Sequence, residues 1–144
     1  MNIAIIGCGF VADYYAVTLA GYPHLSIVGV ADRDSARTAA FSTRYGTPVY
    51  SSLDALLEDD RVDLVVNLTN PRSHFEVSKA CLEAGKHVYS EKPLAMDLSD
   101  ASALVDLARD RGLSIASAPC SLLGETAQTM WLSLIHISEP TRPY

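Results

Sequence analysis

The sequence predicts an α/β fold built on a doubly wound parallel sheet. Short apolar runs alternate with amphipathic stretches, glycines follow those stretches, and a glycine-rich turn joins the first run to the first helical pattern. Residues 2–6, 25–31, 64–68, 87–90 and 113–117 are apolar or β-rich without strict alternation. Strands covered on both faces of a parallel sheet read this way. The connections between them are then right-handed crossovers. Leu53, Leu56 and Leu57 form a short helical pattern, opened by Ser51-Ser52-Leu53-Asp54, which fits a capping box. Val77, Ala80, Cys81 and Ala84 repeat at helical spacing, with Arg72, Glu76, Lys79 and Glu83 on the other face. Ala101, Leu104, Val105 and Ala108 repeat that pattern. Gly21, Gly46, Gly85 and Gly112 each follow a helical pattern, where a left-handed residue ends a helix.

Composition narrows the function. Among 144 residues, 11 Lys and Arg stand against 17 Asp and Glu, for a net charge of −6. That balance argues against a basic nucleic-acid-binding face and against docking on an anionic membrane. With 49% hydrophobic and 19% charged residues, the chain reads as globular. Cys8, Cys81 and Cys120 are too scattered for a disulfide scaffold or a CxxC metal site, so no metal is expected. Reduced, buried thiols in a cytoplasmic protein are the expectation. Asp13 is the only charged side chain in residues 1–30, so a signal peptide's basic start is lacking.

Four stretches carry chemistry. Gly7-Cys8-Gly9-Phe10-Val11-Ala12 is a G-x-G-x-x-A between a strand and a helix. Gly7 permits the tight turn, Gly9 lets a pyrophosphate approach the backbone, and Ala12 keeps the helix close to the sheet. The helix N-terminus presents free N–H groups to the phosphates. Asp32 ends the second strand, where a carboxylate can bind the adenosine ribose hydroxyls and repel a 2′-phosphate. That favours NAD, with NADP left open by Arg33, whose guanidinium can accept that phosphate, stack on adenine or stay in solvent. A turn or cap role is the alternative for Asp32. Thr69 and Asn70 follow the strand at 64–68, at the edge where a ligand crevice forms, and can contact a diphosphate or nicotinamide ribose. The alternative is a polar loop with Ser73 capping the next helix. His74 is open between first-turn packing and a site role. Glu91-Lys92-Pro93 follows the strand at 87–90, where Lys92 can donate to a substrate oxygen or simply face solvent.

Together these stretches resemble the Gfo/Idh/MocA oxidoreductases, the glucose-fructose oxidoreductase and inositol dehydrogenase family. The most specific part is the run from Ala84 to Ala95, which is similar to the family's AGKHVxxEKPLA segment. The resemblance implies a Rossmann dinucleotide-binding domain over residues 1–118. A connection at 119–131 would then lead to a substrate domain that is missing here. It makes Lys92 the active-site lysine, with Glu91 fixing its loop. Thr69, Asn70 and His74 match a loop the family usually writes TPNxxH, here altered to Thr-Asn-Pro. It also places the acid-base pair in the second domain. The expected activity is hydride transfer between NAD(P) and a sugar, cyclitol or related polyol, with homo-oligomerisation of the parent left open. A nucleotide-binding module without turnover is the alternative. A methyltransferase, which would bind S-adenosylmethionine instead, is disfavoured by the Glu-Lys-Pro segment. A P-loop is excluded because no Gly-Lys-Ser/Thr follows the glycines.

Residues 132–144 resemble the conceptual translation of a transposon-end adapter from sequencing libraries. They are expected to be non-native, with the source gene continuing beyond them. Deleting 132–144 is expected to leave the melting temperature and NAD affinity unchanged. A thermal melt and an NAD titration of the shortened chain check this; a substantial loss of either would show that the tail packs on the domain.

Overall fold

The computed structural model describes residues 1–118, 125 and 128–130. Apart from those four, the connection at 119–131 lies outside the described residues, as does the tail at 132–144. In chain order the elements are β1 (Asn2–Ile6), α1 (Phe10–Leu19), β2 (Ser26–Ala31), α2 (Ser35–Tyr45) and α3 (Leu53–Leu57). They continue with β3 (Leu64–Asn67), a 3₁₀ turn (Pro71–Ser73), α4 (His74–Glu83), β4 (His87–Ser90), α5 (Leu98–Asp110) and β5 (Ile115–Ser117). The sheet order is β2-β1-β3-β4-β5, and every pairing is parallel. Val49 adds one parallel bridge to Val30 at the outer edge of β2.

β1 shows why the strands lack alternation. Ile3 and Ile5 face a cluster with Ala12 and Ala16 of α1, Phe41 of α2, Val30 and Val66. Ala4 and Ile6 face the opposite cluster, with Leu56, Cys81, Leu82, Leu104 and Ala108. Both faces are buried, so each position of the strand has to be apolar. α1 and α2 therefore lie on one face of the sheet, and α3, α4 and α5 on the other. No helix among the described residues is long and apolar enough to cross a membrane.

Several local expectations are corrected. The N-cap of α3 is Ser52, whose hydroxyl accepts from the Ala55 N–H at 3.0 Å. Asp54 then stands at the second helical position, out of step with the box expected from Ser51. Gly21 is not left-handed, whereas Gly46, Gly85 and Gly112 are. α1 instead ends by tightening: the Gly21 N–H donates to Thr18 O and the Tyr22 N–H to Leu19 O, so no reversal of φ is needed. Ser73 makes no capping bond to α4. On α4 the buried stripe is His74, Ser78, Cys81 and Leu82, while Ala84 is exposed at the helix end. On α5, Leu104 and Ala108 are buried and Val105 is exposed. These shifts follow from which side each helix turns to the sheet, which apolarity alone does not fix.

The register aligns the strand ends. Ile6 pairs with Ala31 and Asn67, Asn67 with Ser90, and Ser90 with Ser117. The ladder runs one step further: the N–H groups of Gly7, Leu68, Glu91 and Ala118 donate to Ala31, Ile6, Asn67 and Ser90 at 2.8–2.9 Å. Gly7 is held at φ +97°, and a Cβ there would stand 2.6 Å from Leu68 O. Gly7→Ala is therefore expected to destabilise the fold by about 2 kcal/mol or more, from left-handed strain and backbone overlap together. Chemical denaturation of both chains measures this; a loss well below 1 kcal/mol would show that the β1–β3 junction relaxes around the methyl.

Candidate functional site

Every loop named by the sequence reading leaves the same edge of the sheet. After β1, Gly7 turns the chain and Gly9 becomes the N-cap of α1, with no side chain capping it. Where a Gly9 Cβ would stand there is nothing within 4 Å. The space over Gly9 is thus open beside the N-terminus of α1, an arrangement that can receive an anion. Phe10 and Val11 point their side chains outward, at 74% and 38% exposure, so their share of an anion site is the backbone. Ala12 is fully buried and lets α1 lie close on β1. The Cys8 side chain turns inward. Burial, and secondarily the charge of Asp32, push its thiol up to about 12, so it stays protonated at neutral pH.

Asp32 does two things at once. Its Oδ2 accepts from the Cys8 N–H at 2.7 Å, and its Oδ1 accepts from the Asp34 N–H at 2.9 Å. The first bond ties the end of β2 to the glycine turn, and the second shapes the entry to α2. The helix cap itself is Asp34, which accepts from the Ala36 N–H at 3.0 Å. Each Asp32 oxygen keeps a lone pair for a further donor, and the side chain remains partly exposed. Arg33 is exposed beside it. Between the glycine turn and α2 lies a cavity of about 370 Å³ reached by Arg37 and Arg44. Neither arginine was singled out by the sequence patterns. Arg44 is engaged with Asp13 at 2.9 Å, and Arg37 with Asp34 at 3.4 Å.

β3 ends in Asn67, which is fully buried and has several partners. Its amide N–H groups donate to His74 O and Ser78 Oγ, and its Oδ1 accepts from both the N–H and the hydroxyl of Thr69. The Thr69 hydroxyl proton is thereby committed inward, at 2.7 Å, and towards the crevice that oxygen can only accept. Asn70 is exposed, 3.5 Å from the Ser73 hydroxyl that donates to it. His74 is 1% exposed, so its ring lies behind the loop. Nδ1 stands 2.6 Å from Pro93 O and Nε2 3.0 Å from Thr69 O. Neither carbonyl can donate, so whichever ring nitrogen carries the proton donates to the carbonyl it faces.

The loop after β4 carries Glu91, Lys92 and Pro93. Glu91 Oε1 accepts from the Tyr15 hydroxyl at 3.0 Å, and Oε2 accepts from the Lys92 N–H at 3.2 Å. Burial first, then the bond to Glu91, raises the Tyr15 phenol well above its ordinary range, so it stays a donor. Lys92 is exposed, and among the described residues no carboxylate pairs with its ammonium. The structure thus gathers the glycine turn, Asp32, the Thr69 loop and Lys92 along one edge. It sets His74 and Glu91 behind that edge as supports. Tyr15 and Asn67 are functional candidates that pattern reading did not single out. Asn67 did carry a signal, as a polar residue closing an otherwise apolar strand.

Residues 1–118 match a family described as an oxidoreductase family with an NAD-binding Rossmann fold, Gfo/Idh/MocA. A dTDP-3,4-didehydro-2,6-dideoxy-alpha-D-glucose 3-reductase from Streptomyces violaceoruber is 36% identical over 117 residues, which are 81% of this chain and 34% of that protein. Biliverdin reductase from Synechocystis sp. PCC 6803, solved with biliverdin and NADP⁺, superposes with a TM-score of 0.87 at 32% identity, covering 96% of this chain and 44% of that one. The WlbA dehydrogenase from Chromobacterium violaceum, solved with NADH and UDP-GlcNAcA, gives 0.88 at 26% identity, covering 94% and 40%. The chain spans about a third of the curated relative's length and under half of either solved protein. With its matched residues, its sheet order and its loop edge all in agreement, the chain belongs to the Gfo/Idh/MocA oxidoreductase family and carries that family's NAD-binding Rossmann fold.

Proposed function

We propose that this chain is the cofactor-binding part of an NAD(P)-dependent oxidoreductase acting on a sugar, cyclitol or related polyol. The observation that carries the reading is the convergence of the glycine turn, Asp32, the Thr69 loop and Lys92 on one sheet edge. The residues fit a dinucleotide. The α1 N-terminus is uncapped, the space over Gly9 is open, and an acceptor stands at the end of β2. The backbone of Gly9, Phe10 and Val11 would hold the diphosphate, with Gly7, Cys8 and Ala12 shaping the turn, Asp32 would hold the adenosine ribose, and Thr69 and Asn70 the nicotinamide side. When bound, the dinucleotide supplies a nicotinamide ring able to accept or give a hydride.

The chain's own contribution is binding, orientation and charge. Lys92 is placed to donate a hydrogen bond to a substrate oxygen and to stabilise negative charge growing there. Glu91 holds the lysine's backbone through its N–H. The sugar nucleotides named for the Streptomyces reductase and the WlbA dehydrogenase support a carbohydrate substrate. Cys8 and Cys81, both buried free thiols, support a reducing, cytoplasmic setting.

A second reading concerns the chain as it stands: it binds dinucleotide without turnover. Lys92 can donate to a substrate oxygen, and the resemblance assigns the acid-base pair to a second domain. A polyol panel with NAD, followed by NADH absorbance at high protein concentration, is expected to show negligible rate. A positioned proton acceptor is worth roughly 10²–10⁴-fold. Saturable turnover abolished by Lys92→Ala would overturn this binding-only reading.

Cofactor choice follows from Asp32. NAD(H) is expected to bind more tightly than NADP(H), because a 2′-phosphate would meet a carboxylate already fixed by two backbone N–H groups. Asp32→Ala is expected to narrow that preference by about tenfold, the scale of one hydrogen bond to a charged group. Calorimetric titration of both cofactors measures the ratio, which cancels any loosening of the glycine turn common to the two. An unchanged ratio would remove Asp32 from ribose recognition.

A further inference from the structure

We propose that Tyr15 and His74 are positioning residues for Lys92, holding its loop against the cofactor-binding elements from two sides. This rests on the reading of Lys92 and the glycine turn given above, and adds residues that act through them. A lysine on an exposed loop has four rotatable bonds, so its ammonium is only as well placed as its backbone. The two residues flanking Lys92 are each tied to a different helix. On one side, Glu91 accepts from the Tyr15 hydroxyl of α1 at 3.0 Å, while its other oxygen accepts from the Lys92 N–H. On the other, Pro93 O lies 2.6 Å from the buried His74 ring of α4, whose second nitrogen is 3.0 Å from Thr69 O. The Glu91 N–H completes the frame by donating to Asn67 O at 2.9 Å.

The geometry makes this more than general packing. Tyr15 stands on the helix whose first turn would receive the diphosphate, between the fully buried Ala12 and the buried Ala16. A small displacement of α1 passes to Glu91 through one hydrogen bond. His74 joins the loop expected at the nicotinamide side to the loop bearing Lys92. Neither side chain needs to touch a ligand. Their loss is expected to weaken contacts made by the β3 and β4 loops and to spare those made by the glycine turn and Asp32.

Comparing NAD with ADP separates these cases, because ADP carries the adenosine and diphosphate but not the nicotinamide half. Tyr15→Phe removes one hydroxyl and keeps the ring. It is expected to lower NAD affinity roughly threefold to tenfold while leaving ADP affinity within about twofold. His74→Leu is expected to give the same split. His74→Gln, whose amide nitrogen still offers two hydrogens to carbonyls, is expected to restore most of it. Equal losses for NAD and ADP, or no loss for either, would overturn the proposal, and Tyr15→Phe decides it even where His74→Leu does not fold. A ligand-free measurement stands beside the titrations. In ¹H–¹⁵N spectra, Tyr15→Phe is expected to shift the Glu91 and Lys92 amides and leave those of Cys8 and Gly9 in place. Unmoved Glu91 and Lys92 amides refute the positioning role. A wild-type chain that binds neither NAD nor ADP would instead refute the cofactor reading, with the amide shifts still deciding the role of Tyr15.

Discussion

The in-register ending of the parallel strands is the constraint on which the site depends. Ile6, Ala31, Asn67, Ser90 and Ser117 stand in one row, and the first N–H beyond four of the strands continues the ladder to a neighbour. Parallel pairing lets every strand release its following loop at the same edge. The order β2-β1-β3 adds a reversal, because the chain leaves β1 for β2 on one side and returns to β3 on the other. Loops on either side of that point diverge and leave a crevice. Gly7 sits at the reversal itself, bonded to β2 through Ala31 and pressed against Leu68 beyond β3. The dinucleotide-binding turn is therefore a consequence of topology as much as of its glycines.

Much of this was legible in the sequence, for identifiable reasons. The five strands could be read because burial on both faces forces unbroken apolar runs, as at Ile3 to Ile6. Gly46, Gly85 and Gly112 could be read as stops because only a left-handed residue fits there. Gly21 could not be separated from them, since glycine also tolerates the ordinary turn that α1 adopts. The parallel bridge at Val49 was not legible, because one β-branched residue after Pro48 gives no run. The stripes on α4 and α5 were legible in period but not in phase. Apolarity at Ala84 and Val105 does not reveal which side the sheet takes.

The site divides in the same way. Residues proposed to shape or meet a ligand site next to a strand end, such as Gly7, Gly9 and Asp32, announce themselves by spacing from that strand. Residues that act by reaching another loop do not. Tyr15 lies 76 positions from Glu91, and nothing in the sequence around either names the other. His74 was visible as a motif residue, yet its burial between two carbonyls is a tertiary fact. A buried imidazole and an exposed one read alike in a loop sequence.

Asp32 shows why cofactor preference and phosphate binding are not independent properties here. Its carboxylate takes the Cys8 N–H, so that N–H is fixed within the turn rather than offered to a diphosphate. The same bond holds the negative charge close to the α1 N-terminus, where the helix dipole is positive. The local field is thus partly neutralised before any ligand arrives. In the proposed site an incoming diphosphate would meet the N–H groups of Gly9, Phe10 and Val11, while the ribose would meet the remaining lone pairs of the acid. Replacing Asp32 with a neutral residue would strengthen the positive field felt by the phosphates and remove the acceptor felt by the ribose. The two effects oppose each other for NAD, whereas the additional phosphate of NADP gains from the first and loses nothing by the second. For that reason the ratio of the two affinities, rather than either alone, reports what the carboxylate does.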